Sequence, residues 1–306
     1  MLDTAVASID VDGPNYRGVP ALWLAERGVA FDRVAELLWT GTLPDAVPAR
    51  SPAPLPRALA ALVPAGTPVG RGLLAVVAVA PGLAAEGALA FVHRLAAASA
   101  LLFGPRSTWA ARADRALAAP CVAEALVDAL GLPPSRRDPL DRALVLCAEH
   151  ELNVSTFAAR VAASAGADDG AALTAALAAW TGAAHGGASD QLEAALDGAP
   201  LSGSGFGHRL YPEGDPRAEL LLDLARAAGP GPRTPAVERL LARGAALGPP
   251  NLDAGLVALS AALDLPLGAA GLLFAIGRCA GWIAHIREQR QSPWILRPRA
   301  RYLGAR

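Results

Sequence analysis

Apolar residues recur at i, i+3 and i+4 in segment after segment, as in AFDRVAELLWTG (residues 30–41) and DRALVLCAEH (141–150). This is the spacing of one buried face of an α-helix, and few stretches alternate apolar and polar residues as strands do. Gly and Pro cut the pattern into runs of roughly ten to twenty residues, the usual helix length. The expected fold class is therefore all-α. The most Pro-rich region, residues 45–70, reads as a surface connection around one short helix, and residues 227–240 as a break between two helices. No internal repeat is visible. A chain of 306 residues can form one large domain or two smaller ones.

The 27 basic and 28 acidic side chains are spread along the chain. With no basic stripe for nucleic acid and no acidic tail, a small-molecule partner is expected. Every basic residue is arginine. The lack of lysine removes Schiff-base chemistry, pyridoxal phosphate attachment and the Walker A phosphate loop. Cys121, Cys147 and Cys279 are scattered and odd in number. They read as reduced core thiols, and the expected location is cytoplasmic. The N-terminus lacks the pattern of a signal peptide. The longest uncharged stretch, Gly170 to Ser189, is too weakly hydrophobic to suggest a membrane span.

In so Ala-rich a chain, clustered polar residues are informative. Asparagine occurs three times, and Asn153 and Asn251 both fall beside acid or histidine groups. Asp138 and Pro139 read as the N-cap and first residue of a helix running towards His150, and the next helix is expected from about Ser155 to Gly166. His150 then lies in an inter-helix turn, either capping a helix C-terminus or facing a ligand. His185, in GAAHGGASD, precedes a helix N-terminus that disfavours its cation, so it can donate a hydrogen bond as a neutral ring. The glycines beside it let a ligand approach the backbone closely, which the alternative, a structural histidine in a turn, would not need.

In GFGHRLYPEGDPRA, Asp215 reads as N-cap, Pro216 as the first helical residue and Arg217 as a first-turn cation. A cation there opposes the helix dipole. An anion held jointly by the guanidinium and the helix N-terminus explains it, as does a surface pair with Glu213. Arg278 falls inside an apolar helix, where burial is costly unless an anion meets it. Arg297 and Arg299 near the C-terminus read either as further anion ligands or as a solvated tail.

Taken in order, HELNVSTFAARVAAS, GAAHGGAS, GFGHRLYPEGDPRA, NLDAGL, FAIGRCAGWIAH and LRPRARY resemble the citrate synthase family, as does the segment at residues 16–44. The resemblance implies a helical homodimer with a large domain (residues 1–184 and 259–306) and a smaller domain (185–258) that closes over the substrates. It implies condensation of an acyl-CoA with a 2-oxo acid, usually acetyl-CoA with oxaloacetate, with coenzyme A thioester as substrate and no cofactor or metal. By matched motif, Asp253 is the base, His185 bonds the enol and His208 polarises the keto carbonyl. His150, Arg217 and Arg278 hold the oxaloacetate carboxylates, Arg297 reaches in from the partner subunit, and the SGSGFG loop, with Ser204, Gly205, Phe206 and Gly207, lies against the CoA adenine.

The chain departs from the family in three places. Only 22 residues separate His185 from His208, fewer than is usual. Pro212 stands after Tyr211 where a lysine often follows, and Asp253 is followed by Ala-Gly rather than Ser-Gly. A 2-methylcitrate synthase, a citryl-CoA cleaving enzyme and a non-catalytic relative that binds a dicarboxylate or CoA are the alternatives. A metal site built from the three histidines matches no common ligand spacing.

Overall fold

The computed structural model describes residues 2–79, 87–201 and 203–304. The chain opens on three short antiparallel strands, β1 (Ala7–Asp10), β2 (Gly13–Tyr16) and β3 (Val19–Pro20), paired in the order β1-β2-β3. The helical pattern did not announce them, because strands of two to four residues offer too few positions for alternation. Their turns are locally determined. The Asp10 carboxylate accepts from the Asp12 N–H and the Asn15 amide, and Arg17 and Gly18 both have positive φ, as a two-residue hairpin requires. Buried Tyr16 pins the sheet to the helices by donating to the carbonyl oxygen of Val145 at 2.9 Å.

Among the described residues the remaining regular structure is helical. In chain order the helices are α1 (Ala21–Glu26), α2 (Phe31–Thr40), α3 (Leu59–Leu62), α4 (Val69–Ala78), α5 (Ala88–Phe103), α6 (Trp109–Ala118), α7 (Val122–Leu130) and α8 (Arg137–Cys147). They continue with α9 (Val154–Ser164), α10 (Asp169–Trp180), α11 (Gly187–Leu196), α12 (Pro216–Ala227), α13 (Thr234–Gly244), α14 (Leu252–Ala262) and α15 (Ala269–Arg290). The all-α expectation holds apart from the small N-terminal sheet. Helix α8 starts earlier than its Asp-Pro signal suggested. A 3-10 turn at Pro134–Arg136 already runs into it, and Asp138 pairs with Arg142 one turn on instead of capping.

Helix α15 is the axis of the molecule and packs against α2, α5, α8, α9, α10, α11 and α14. It is long and apolar enough to cross a membrane, yet its apolar window is entirely buried inside the fold. Glycine permits the close approach to α8: a Cβ at Gly277 would meet the carbonyl oxygen of Leu144 at 2.7 Å. One apolar cluster runs through nearly all the elements, and a small satellite of Val237, Ala258 and Ala261 joins α13 to α14. The expected domain boundary at 258/259 falls within α14.

A buried acidic pair beneath α2 carries a prediction. The N-cap of α2 is Ala30, which has no capping side chain, and Asp141 of α8 supplies the acceptor instead, taking the Phe31 N–H at 2.9 Å. Asp141 is 5% exposed, and burial pushes its carboxyl up to about 7. The neighbouring Asp32, by contrast, has Arg50 at 3.0 Å. A carboxyl whose folded pKa lies above its unfolded value stabilises fully below the unfolded value, and that contribution is lost as pH rises through the folded one. Asp141→Asn keeps the acceptor and removes the titration. Its melting temperature should match the wild type in acid and exceed it increasingly towards pH 8, by at most ~4 kcal/mol of stability. Parallel melting curves across that range would show that Asp141 ionises freely.

Candidate active site

Loops and helix ends from four parts of the chain meet the body of α15 at a cavity of about 160 Å³, lined by His150, Asn153, His185, His208, Arg217, Asn251, Leu252, Asp253, Phe274 and Arg278. Eight of the residues singled out in the sequence are thus brought together: the three histidines, Asn153, Asn251, Arg217, Asp253 and Arg278. Arg297 is not among them: it lies exposed on the C-terminal tail.

The two arginines differ. Arg217 is buried and doubly bonded to its own N-cap, Nε to Asp215 Oδ1 at 2.9 Å and Nη2 to Oδ2 at 2.8 Å. Of the two partners expected from sequence, the surface pair with Glu213 is not formed, and Asp215 takes its place. That carboxylate also accepts the Arg217 and Leu252 N–H groups, so it can offset both the guanidinium and the helix start. Burial works against ionisation of Asp215, and Arg217 more than offsets it, leaving the carboxyl below its ordinary range. Arg278 is 1% exposed and gives its Nε to the carbonyl oxygen of Cys147 at 2.7 Å, while its Nη1 is buried without a partner. It stacks over Phe274 at 4.6 Å, and burial lowers its pKa. Glu149 is near enough to favour its charge, but among the described residues no carboxylate forms an ion pair with it, and a buried guanidinium without one is a strong demand for an anion.

The histidines are neutral donors or acceptors. His208 Nδ1 accepts the Leu210 N–H at 3.2 Å, so the proton of the neutral ring sits on Nε2. Burial and then Arg217 push its pKa down. His185 Nε2 lies 2.8 Å from Ser155 Oγ, whose one proton can go to that nitrogen or to Asn153 Oδ1, also at 2.8 Å, while the oxygen accepts from the Trp282 indole at 3.1 Å. When the hydroxyl proton goes to Nε2, the ring carries its own proton on Nδ1. Burial, then Arg278, pushes His185 down to about 4, so it is uncharged at neutral pH. His150 is held neutral by burial and by Arg217 and Arg278, and its Nε2 is buried without a partner. Its ring stands edge-on to His208 at 5.2 Å.

Asp253 occupies the first turn of α14, where Asn251 Oδ1 accepts its N–H at 3.0 Å, and Ser189 Oγ donates to its Oδ1 at 2.7 Å. Asn251 also clips the Gly-rich loop to this turn. Its N–H donates to the Gly205 carbonyl at 2.9 Å and its side-chain amide to that of Gly207 at 3.2 Å, while Gly207 N–H reaches Pro249 O at 2.7 Å. Within that loop Ser204 Oγ donates to Gln191 at 3.0 Å, and Phe206 is buried in a space that any side chain at Gly244 would occupy. Ser202, the first residue of the loop, lies outside the described residues. Sequence reasoning missed Ser155, Ser189 and Phe274, whose residue types are unremarkable in an apolar chain, and saw Asp215 only as a cap.

The citrate synthase C-terminal domain matches residues 88–299. The chain belongs to the citrate synthase family. It is an acyltransferase of the citrate synthase type. It is 33% identical to "Putative citrate synthase 2" of Mycobacterium tuberculosis, over 98% of this chain and 90% of that protein. It is also 36% identical to the citrate/2-methylcitrate synthase of Bacillus subtilis, over 57% of this chain and 54% of that one. The fold superposes on citrate synthase from the archaeon Thermoplasma acidophilum, solved as a ternary complex with carboxymethyl coenzyme A and oxaloacetate. The TM-score is 0.78 at 22% identity, covering 100% of this chain and 94% of that one. Citrate synthase from Pyrobaculum aerophilum gives 0.73 at 25% identity, covering 100% and 90%.

Proposed function

We propose that this enzyme condenses acetyl-CoA, or another short acyl-CoA, with oxaloacetate or a related 2-oxo acid, giving citrate or its analogue and free CoA. The observation that carries the choice of acceptor is Arg278, a buried guanidinium with an unpartnered nitrogen beside Arg217 and three neutral histidines. Arginine forks suit a dicarboxylate, and His150 and Arg217 complete its cradle. Removing Asp215 from one face of Arg217 is unnecessary, because its Nη1 takes no part in that pair.

The chemistry follows from the same geometry. A thioester methyl is a very weak acid, so Asp253 can take its proton only if the enol is stabilised as it forms. His185, uncharged and with Nδ1 free, donates to the thioester oxygen. His208 Nε2–H donates to the keto oxygen of the acceptor, whose carbon then receives the new C–C bond. Water finally cleaves the thioester and releases the CoA thiol. In this reading residues 185–258 close over the substrates, the loop at Ser204–Gly207 meets the CoA, the enzyme acts in the cytoplasm without cofactor or metal, and a second subunit supplies Arg297.

Thiol release from a panel of acyl-CoAs and 2-oxo acids tests the reading. Acetyl-CoA with oxaloacetate should give the largest kcat/KM. A larger value with propionyl-CoA would make the enzyme a 2-methylcitrate synthase, and binding of a dicarboxylate or CoA without any turnover would make it a non-catalytic relative.

A further inference from the structure

Ser189 is 1% exposed, and its hydroxyl reaches the Asp253 carboxylate from the protein side, 2.7 Å from Oδ1. Asp253 itself lines the cavity, and Oδ2 is the oxygen left to receive a substrate proton. Ser189 lies in the first turn of α11, four residues after His185, and the Ala188 N–H closes that turn on the His185 carbonyl at 3.0 Å. One turn of backbone therefore carries both the enol donor and the group that grips the carboxylate opposite it.

We propose that Ser189 is a positioning residue for proton abstraction: its hydroxyl fixes the rotation of the Asp253 carboxyl, favours its charged form, and ties α14 to the turn that presents His185. The proposal rests on the assignment of Asp253 as the base. A hydroxyl donated to a carboxylate favours the charged form and is stronger than a neutral hydrogen bond. The need is clear from the surroundings. Burial pushes the Asp253 carboxyl up, and the Ser189 hydrogen bond opposes that ahead of Arg217, with Asp215 raising it and Arg278 lowering it further. Those charges come from α12 and α15. His150, His185 and His208 share the cavity as neutral rings, and α13 packs on α14 through Val237 against Ala258 and Ala261. Without Ser189, Asp253 becomes a stronger base in principle but one that is protonated over more of the working range and free to rotate.

The test is the pH profile of kcat/KM for acetyl-CoA, followed by thiol release. In Ser189→Ala the acidic limb should move up by ~1 pH unit, with activity recovering on the alkaline side. In Ser189→Thr, which keeps the hydroxyl, the limb should stay at the wild-type position. A Ser189→Ala limb at the wild-type pH, with activity unchanged or lowered equally at every pH, would overturn the proposal. Asp253→Asn separates this from a failure of the underlying assignment. If that variant turns over near-normally, Asp253 is not the base; if it is inactive while the Ser189→Ala limb stays put, only the role of Ser189 falls.

Discussion

Asp253→Asn should bind oxaloacetate as the wild type does and turn over ~10²–10⁴-fold more slowly, the usual contribution of a positioned base. The substitution is nearly isosteric. The amide oxygen can still accept from Ser189, and the bond from the residue 253 N–H to Asn251 Oδ1 involves only backbone on this side. The start of α14 is therefore preserved, as are His150, Arg217 and Arg278, which line the acceptor side of the cavity. What the amide cannot do is take a proton. Binding is read from the thermal shift with oxaloacetate, where ligand at 100 times its Kd stabilises by about 2.7 kcal/mol. Turnover is read from thiol release. Near-normal turnover would remove Asp253 from the role, and loss of oxaloacetate binding along with turnover would make its carboxylate part of the acceptor cradle instead.

The same residue shows what can be read in a sequence of this kind. Helices were legible because an Ala- and Leu-rich chain with Gly and Pro breaks has one dominant period, and Asp215 with Pro216 marked the start of α12 without ambiguity. The site histidines, Asp253 and the two buried arginines were legible as ordered motifs, and the fold gathers them although they span residues 150 to 278. The partners that tune them were not. Ser155 meets His185 across 30 residues and Ser189 meets Asp253 across 64, and a serine among alanines carries no sign of which distant group it will touch. Arg217 shows the opposite case. Its partner lay two residues away, but the cap reading of Asp215 hid the fact that one carboxylate can hold both the helix N–H groups and the guanidinium.

Arg297→Ala alone and His208→Ala alone should each be nearly inactive, and mixing the two proteins under conditions of subunit exchange should restore roughly a quarter of wild-type activity. Within one chain Arg297 stays exposed and does not line the cavity. The tail that carries it is tied to α9 where the Leu296 N–H donates to Ser164 Oγ at 3.0 Å, and it exposes Trp294 (59%) and Ile295 (65%). Apolar side chains left open on an extended tail suit contact with a second copy of the chain. If the tail reaches the neighbour's cavity, each site combines His208 from one subunit with Arg297 from the other. A mixed dimer then holds one site with both residues and one with neither. Random pairing makes about half of the dimers mixed, each with one of two sites working, which gives the quarter. No recovery, with exchange confirmed by native mass spectrometry, would mean that Arg297 serves its own subunit or lies outside the chemistry altogether.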